Sequence, residues 1–230
     1  VEIVREASAD APAPALGTLA QAVRGQPIPW KMLGLATLPM LSFGFSGGLT
    51  FPFYNLFWRE QFSLPDQTVG TILSIGWIGM ALLPLLNPRV ERRFGRVGGL
   101  RLSMLISAAA FALLGLQALL LLSVGLFVVA ISFRNMMNPL FQPLLLESLP
   151  HHLANVASSM SMVMWNVGWF AATALGGFIV ERFGFAPIML LVAAAVLLTG
   201  LVIPAIFRPR GAITLYLPEY FASADVRKAG

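Results

Sequence analysis

The sequence predicts an all-α integral membrane protein in which six transmembrane helices form two inverted three-helix repeats. Its 230 residues are 57% apolar and only 11% charged, and the mean hydropathy is +0.80. A soluble domain usually carries about 25% charged residues. The apolar residues are collected in long uncharged runs, and a short loop motif occurs twice. This composition excludes a disordered chain, a nucleic-acid-binding module and an ordinary cytosolic enzyme.

Six segments are long and apolar enough to cross a bilayer. A transmembrane helix needs about 20 mostly apolar residues at about 1.5 Å each. The predicted spans are Met32–Trp58, Gln67–Pro88, two spans within residues 98–146 joined by a tight turn near Gly115–Ser123, Asn155–Val180, and Pro187–Phe207. Trp30 and Trp58 flank the first span, as aromatic residues at the two membrane interfaces do.

The basic residues are distributed unevenly between the two predicted sides. Three precede the first span, five lie between the second and third, and four follow the sixth, which makes twelve of fifteen. Only Arg59 and Arg182 lie on the other side, and Arg134 lies inside the fourth span. The positive-inside rule therefore predicts that both termini are cytoplasmic. We expect a plasma membrane, the inner membrane of a bacterium.

The two terminal segments are predicted to be cytoplasmic. Residues 1–31, rich in Ala, Pro and Gly, form a linker, residues 32–207 the six-helix domain, and residues 208–230 a polar tail. The chain begins with Val rather than Met, so we expect a piece of a longer protein.

A short motif repeats at an offset of 89 residues. Arg92–Gly95 reads RRFG and Glu181–Gly184 reads ERFG. The same offset carries the start of the first span onto the start of the fourth, so the chain divides into two triplets of helices. Because three is odd, the second triplet is inverted across the membrane. Chance is the alternative, since four residues of loop composition recur easily.

These features resemble the C-terminal half of the major facilitator superfamily over about residues 20–207. Residues Pro88–Arg96 are similar to the family's cytoplasmic gating motif G-x-L-A-D-R-x-G-R, and residues 177–184 fit it with Glu in place of Asp. Glu147–Pro150 is similar to the family's E-x-x-P helix end, although Ala154 replaces its usual arginine. The expected gating residues are Glu91, Arg92, Arg93, Gly95, Arg96, Glu147, Gly177, Glu181, Arg182 and Gly184.

The resemblance implies a secondary active permease that works by alternating access. Its solute would be small, either polar or anionic or a drug-like metabolite. Six helices cannot enclose an alternating-access cavity alone, so a missing N-terminal half or a second copy of the chain is expected as partner. The other expected partners are the lipid bilayer and the solute, with protons as a candidate coupling ion. No cofactor, metal, nucleic acid or enzymatic activity is expected.

Arg134 is the most informative candidate for the solute pathway. A charge on the lipid face at mid-membrane costs at least about 2.5–3.5 kcal/mol, so Arg134 should face a cavity or a partner. Asn138 and Gln142 follow on nearly the same helix face, and Asn135 lies beside them. Such a stripe suits an anionic or polar solute. The alternative is an arginine that caps carbonyl groups of a neighbouring helix.

The other pathway candidates lie on the first and fifth spans. Ser46, Thr50 and Tyr54 share one helix face, and the resemblance implies that this helix lines the cavity. The alternative is that these hydroxyls bond to carbonyl groups of their own helix. Asn166 lies near the middle of the fifth span. Two further residues, Trp165 and Trp169, either wall the cavity or simply pack.

Two structural roles are also expected. Arg92, Arg93 or Arg96 would pair with Glu147 as a cytoplasmic latch, unless these arginines only orient the chain. Small residues at four-residue spacing predict close helix packing. They are Gly44 and Gly48 on the first span, and Gly168, Ala172 and Gly176 on the fifth.

Other functional classes fit the sequence less well. A half-size transporter that works as a homodimer is the main alternative. Gly44–Gly47 reads GFSG, the short motif of rhomboid-type intramembrane serine proteases. That remote alternative needs a base for Ser46. The only histidines, His151 and His152, lie in a predicted surface loop.

Overall fold

The computed structural model describes residues 29–116, 119–150 and 153–207, and it is helical almost throughout these ranges. The α-helices are α1 (Trp30–Gly48), α2 (Tyr54–Phe62), α3 (Asp66–Leu82), α4 (Asn87–Leu116), α5 (Leu120–Asn135), α6 (Met137–Glu147), α7 (Ala154–Phe183) and α8 (Phe185–Ile206). Two short 3-10 helices cover Phe51–Phe53 and Leu83–Leu86. The predicted linker up to residue 28 and the predicted tail after residue 207 lie outside the described residues.

Within the described ranges, five continuous helical stretches are long and apolar enough to cross a membrane. They are Trp30–Phe62, Asp66–Leu116, Leu120–Glu147, Ala154–Phe183 and Phe185–Ile206. The second has 51 residues. At about 1.5 Å per residue it is more than twice as long as the roughly 30 Å hydrocarbon core requires. The chain is therefore a multi-pass helical membrane protein, and the number six stays a prediction.

The predicted loop from Pro88 to Arg96 is mostly helical. α4 already begins at Asn87, and Pro88 is its second residue. Proline is tolerated there because the N–H groups of a first helical turn have no partner within the helix. Only Gly95 leaves the helical conformation, with φ 71° and ψ 170°. The arginine-rich segment between the second and third predicted spans is therefore helical except at Gly95.

Both copies of the repeated motif end in the same backbone conformation. Gly184 separates α7 from α8 with φ 75° and ψ −163°, close to the values at Gly95. This region of backbone space is essentially reserved for glycine, since a Cβ would clash there. A new helical segment starts directly after each glycine. The motif therefore marks a sharp helix-to-helix junction at both places.

Two of the apolar stretches are interrupted near their middle. α1 ends at Gly48, and the chain passes through a 3-10 turn before α2 begins. α5 ends at Asn135, and α6 starts again at Met137. Pro139, in the first turn of α6, has no N–H to bond the Asn135 carbonyl. Backbone groups freed at such breaks must find partners inside the protein, because lipid offers none.

Glycines let the helices approach at backbone distance. A Cβ added to Gly44 of α1 would overlap the Trp165 carbonyl oxygen of α7, and one added to Gly168 would overlap the Leu41 carbonyl oxygen. On the other side of the bundle, a Cβ on Gly200 of α8 would lie 2.8 Å from Cβ of Met104. The small-residue pattern on α1 and α7 therefore corresponds to close packing of these two helices.

Trp58, expected at a membrane interface, is covered by other parts of the protein. It is fully buried, and its ring centroid lies 5.5 Å from that of Phe127 on α5, edge to face. After the break that follows α1, α2 packs its aromatic residues Tyr54 and Trp58 against Phe127 of α5. Trp30, at the other end of this stretch, is exposed.

Candidate solute-binding site

Arg134 lies in the last turn of α5 and is only 3% exposed. Its Nε donates a hydrogen bond to Oγ of Ser46 at 2.9 Å, and its Nη2 donates to the Phe43 carbonyl oxygen at 3.1 Å. The hydroxyl of Ser46 also donates to the Phe43 carbonyl oxygen, at 2.7 Å. These three groups form a closed hydrogen-bonded ring that joins α5 to α1. The bond from Nη2 of Arg134 to the Phe43 carbonyl oxygen caps a carbonyl group of a neighbouring helix, as the alternative interpretation expects.

Aromatic rings cover the guanidinium of Arg134. Its central carbon lies 4.5 Å from the ring centroid of Phe43 and 5.2 Å from that of Phe51. Each such contact contributes about 0.5–2 kcal/mol. Gly47 leaves room for this arrangement, because a Cβ there would lie 2.7 Å from Nη2 and 2.6 Å from the Trp169 ring.

No carboxylate among the described residues forms an ion pair with Arg134. The buried cation is therefore held by dipoles and ring faces instead of an opposite charge. Isolated buried charges are costly, and proteins usually pair them. Because the positive charge is not cancelled within the described part of the chain, it creates a positive potential around the junction of α1 and α5.

The hydroxyl stripe of α1 is turned into the protein. Ser46 and Thr50 are fully buried, and Thr50 donates to the Ser46 carbonyl oxygen at 2.9 Å. Both hydroxyls therefore bond within their own helix, as the alternative interpretation expects. Tyr54 is buried as well, and its hydroxyl has no hydrogen-bond partner in the part of the chain that the structure describes. A role for these residues in the pathway stays a prediction.

The candidate amide side chains do not form one stripe with Arg134. Asn135 is half-buried and donates to the Met80 carbonyl oxygen of α3 at 3.0 Å. Asn138 is exposed and donates to Oδ1 of Asn135 at 3.3 Å, while Gln142 is half-buried. Asn166 on α7 is half-buried and donates to its own helix. The structure thus joins Asn135 to Asn138, and Arg134 to Ser46, as two separate groups.

An aromatic cluster that the sequence pattern only partly indicates lies beside Arg134. The ring centroid of Phe51 is 5.3 Å from that of Trp77 on α3 and 5.4 Å from that of Trp169 on α7. Trp165 lies 5.0 Å from Trp169. Trp165 and Trp169 were candidates from sequence, whereas Phe43, Phe51 and Trp77 were not. The sequence signal that could have indicated a break in the helix at Phe51 was Pro52, the next residue.

Three of the expected gating residues form one ion-pair network. Arg96 pairs through Nε with Oε1 of Glu91 at 2.7 Å and through Nη1 with Glu147. Arg96 is thus the one of the three candidate arginines that contacts Glu147, whereas Arg93 lies over the ring of Phe94. The Glu147 side chain is 63% exposed. An exposed pair contributes only about 0–1 kcal/mol, so this contact is easily broken.

The second copy of the gating motif makes fewer contacts. Glu181 and Arg182 are exposed, and Arg182 lies over the Phe178 ring at 5.5 Å. A Cβ on Gly177 would meet open space. Among the described residues, no group of three or more His, Asp or Glu side chains is placed to hold a metal ion.

The latch pair is expected to show coupling between Arg96 and Glu147. We expect Arg96→Gln and Glu147→Gln each to change the transport rate, and the double variant to change it less than the two single effects combined. The coupling should be about 0.2–1 kcal/mol, so the rate departs from additivity by up to about fivefold. Uptake into proteoliposomes measures it. Arg93→Gln with Glu147→Gln is the control and should be additive. Additivity of the Arg96 cycle would show that the pair has no part in transport.

Comparison with known proteins identifies a family and two relatives. The sequence model of the Major Facilitator Superfamily matches residues 36–218. The chain is 31% identical over 180 residues to the MFS-type transporter SLC18B1 of Mus musculus, covering 68% of the chain and 38% of that protein. It is 28% identical over 127 residues to the niacin transporter NiaP of Acinetobacter baylyi, covering 55% of the chain and 29% of that protein. The matched chain spans less than two fifths of either relative.

Proposed function

This chain belongs to the major facilitator superfamily, and from that premise we propose that it works as the C-terminal six-helix half of a secondary active transporter. It is a multi-pass integral membrane protein of a transporter family and not an enzyme. Its alignments cover only 38% and 29% of two relatives, which supports the need for a second half. Six helices alone cannot enclose a site that opens to alternate sides. A second copy of the chain is the alternative partner, and the mass of the purified particle distinguishes the two.

The proposed arrangement is two inverted triplets of helices. The helical run from Asp66 to Phe94 has a length similar to that of α7, and each ends at a glycine with φ above 70°. The interrupted pair α1–α2 corresponds in the same way to the interrupted pair α5–α6. These equivalences support two crossings within Asp66–Leu116, and therefore six in total. Both termini would then be cytoplasmic.

Single cysteines test this topology, since the chain has none of its own. With both termini cytoplasmic, a membrane-impermeant maleimide on intact cells should label Gln67→Cys, Leu119→Cys and Arg182→Cys. Arg92→Cys should react only after permeabilisation. All four positions are exposed within the described part of the chain. Labelling of Leu119→Cys from the same side as Arg92→Cys would mean that Asp66–Leu116 crosses once, and would contradict the arrangement.

The burial of Arg134 supports a pathway for polar or anionic solutes. Arg134 is a buried cation without a carboxylate partner among the described residues, and it lies where both α1 and α5 are interrupted. Broken membrane helices commonly mark the solute site of secondary transporters. One relative is named a niacin transporter, which makes nicotinate, a small planar anion, the first solute to test.

The direct test is uptake by the reconstituted protein. Saturable uptake of nicotinate or another small anion into proteoliposomes is expected, and it should be lost in a folded Arg134→Ala variant. Normal uptake by that variant would contradict a role of Arg134 in the solute pathway.

A further inference from the structure

We propose that the rings of Phe51, Trp77 and Trp169 form an aromatic platform on which a planar, anionic aromatic solute stacks. This inference rests on the proposed transport function and deepens it by naming the class of solute. The aromatic platform is assembled from three separate segments, namely the 3-10 turn after α1, helix α3 and helix α7.

The geometry of the platform leaves ring surface free. Phe51 is inclined at 45° to Trp77 and at 37° to Trp169, so the rings do not stack fully on one another. Trp77 is 47% exposed, and the other two rings are half-buried. Aromatic rings gain most from offset-stacked or edge-to-face partners at centroid distances of about 4.5–7 Å. The platform therefore retains faces that the described part of the chain does not cover.

The buried aromatic cluster that adjoins the platform differs from it, although the ring centroids of Phe51 and Tyr54 are only 5.6 Å apart. Tyr54 and Trp58 meet Phe127 edge to face, at 80° and 84°, and all three rings are buried. These rings pack against one another, and little ring surface remains for a ligand. The contrast in tilt and exposure indicates that the platform is not simply another part of the packed core.

Arg134 determines the charge that the platform favours. Its guanidinium carbon lies 5.2 Å from the Phe51 centroid, so one face of that ring already contacts a cation. A solute ring stacked on the opposite face would lie roughly 9 Å from the guanidinium, given a stacking distance of about 3.5 Å. At an effective dielectric constant of about 20, Coulomb's law then favours an anion about 20-fold and disfavours a cation by a similar factor. An aromatic cation is therefore a poor occupant.

Two matched carboxylates separate stacking from charge. Benzoate and cyclohexanecarboxylate have the same charge and nearly the same size, but only benzoate has a π face. Isothermal titration calorimetry on the purified protein should show benzoate binding about two- to tenfold more tightly. Benzylammonium, an aromatic cation of similar size, should bind most weakly of the three.

Ring deletions assign the binding to the platform. Trp77→Leu and Trp169→Leu should each weaken benzoate binding about tenfold and remove its advantage over cyclohexanecarboxylate. Phe170→Leu is the matched control, because Phe170 adjoins Trp169, is 72% exposed, and makes no ring contact within the described residues. Phe170→Leu should bind benzoate as tightly as the unaltered protein. Trp77 is exposed, so Trp77→Leu should fold even if Trp169→Leu does not, and thermal unfolding verifies this.

The outcomes separate the platform from the transport function. Absence of benzoate binding, equal binding of both carboxylates, or undiminished binding by folded Trp77→Leu would each overturn the platform. Transport of other solutes without preference for aromatic anions would overturn the platform and leave the transporter intact. Selective benzoate binding by a protein that moves no solute across vesicles would overturn transport and leave the platform.

Discussion

Replacement of Arg134 by alanine is expected to abolish solute transport while the helices remain assembled. The variant loses two charge-assisted hydrogen bonds and two ring contacts that join α5 to α1. It also loses the cost of burying the charge, and no described carboxylate is left unpaired. Ser46 keeps its bond to the Phe43 carbonyl oxygen. The free energy of unfolding should therefore fall by only about 1–3 kcal/mol, as is typical of a single substitution.

The measurement is uptake into proteoliposomes together with thermal unfolding of the same preparation. Arg134→Lys keeps the charge but cannot reproduce the planar fork of hydrogen-bond donors. We expect it to retain part of the transport activity if the positive potential attracts the solute. Arg101→Ala is the control, because Arg101 is exposed and is not among the expected gating residues. Loss of transport in both alanine variants would point to a general effect of positive charge instead.

Replacement of Gly44 by alanine is expected to be the most destabilising small substitution in the bundle. The added methyl group would overlap the Trp165 carbonyl oxygen, which is a backbone atom and cannot rotate away. α1 and α7 would have to separate, and their other close contacts, at Gly48 and Gly168, would be lost with them. We expect a loss of about 2–4 kcal/mol, in the range that overpacking and lost packing produce.

Gly125→Ala in α5 provides the matched control for Gly44→Ala. A Cβ at Gly125 would meet nothing within 4 Å, so the same substitution there should be neutral or stabilise the helix by up to about 1 kcal/mol. Thermal unfolding in detergent and the yield of folded protein compare the two variants. Equal unfolding temperatures would show that α1 and α7 are not held in backbone contact in the membrane.

The positions of the later helices follow closely from the sequence. The fifth and sixth spans were expected at Asn155–Val180 and Pro187–Phe207, and the corresponding helices are Ala154–Phe183 and Phe185–Ile206. An apolar run in a bilayer must satisfy its backbone internally, so its length and charged ends almost determine the helix. The break after Gly48 was not evident, because Pro52 lies in a run that remains apolar throughout.

The candidate site was predicted in part. Arg134 stands out because it is the single charge in a long uncharged run, and the cost of exposing it to lipid requires that it be covered. Its partners could not be inferred, since Ser46 and Phe43 lie 88 and 91 residues earlier in the chain. Nor could Trp77 be linked to Phe51, because periodicity assigns a residue to a helix face but does not identify the opposing helix.

Membrane insertion and helical architecture can be inferred from the order of apolar and charged residues, because the bilayer acts on each segment almost independently. The family was indicated by the resemblance of residues 88–96, 147–150 and 177–184 to known motifs. Contacts between segments depend on how the helices pack, and no local pattern contains that information. The close approach of α1 and α7 and the choice of Arg96 over Arg92 and Arg93 as the partner of Glu147, 51 residues away, are consequences of packing. The burial of Trp58 against Phe127 of α5 has the same origin.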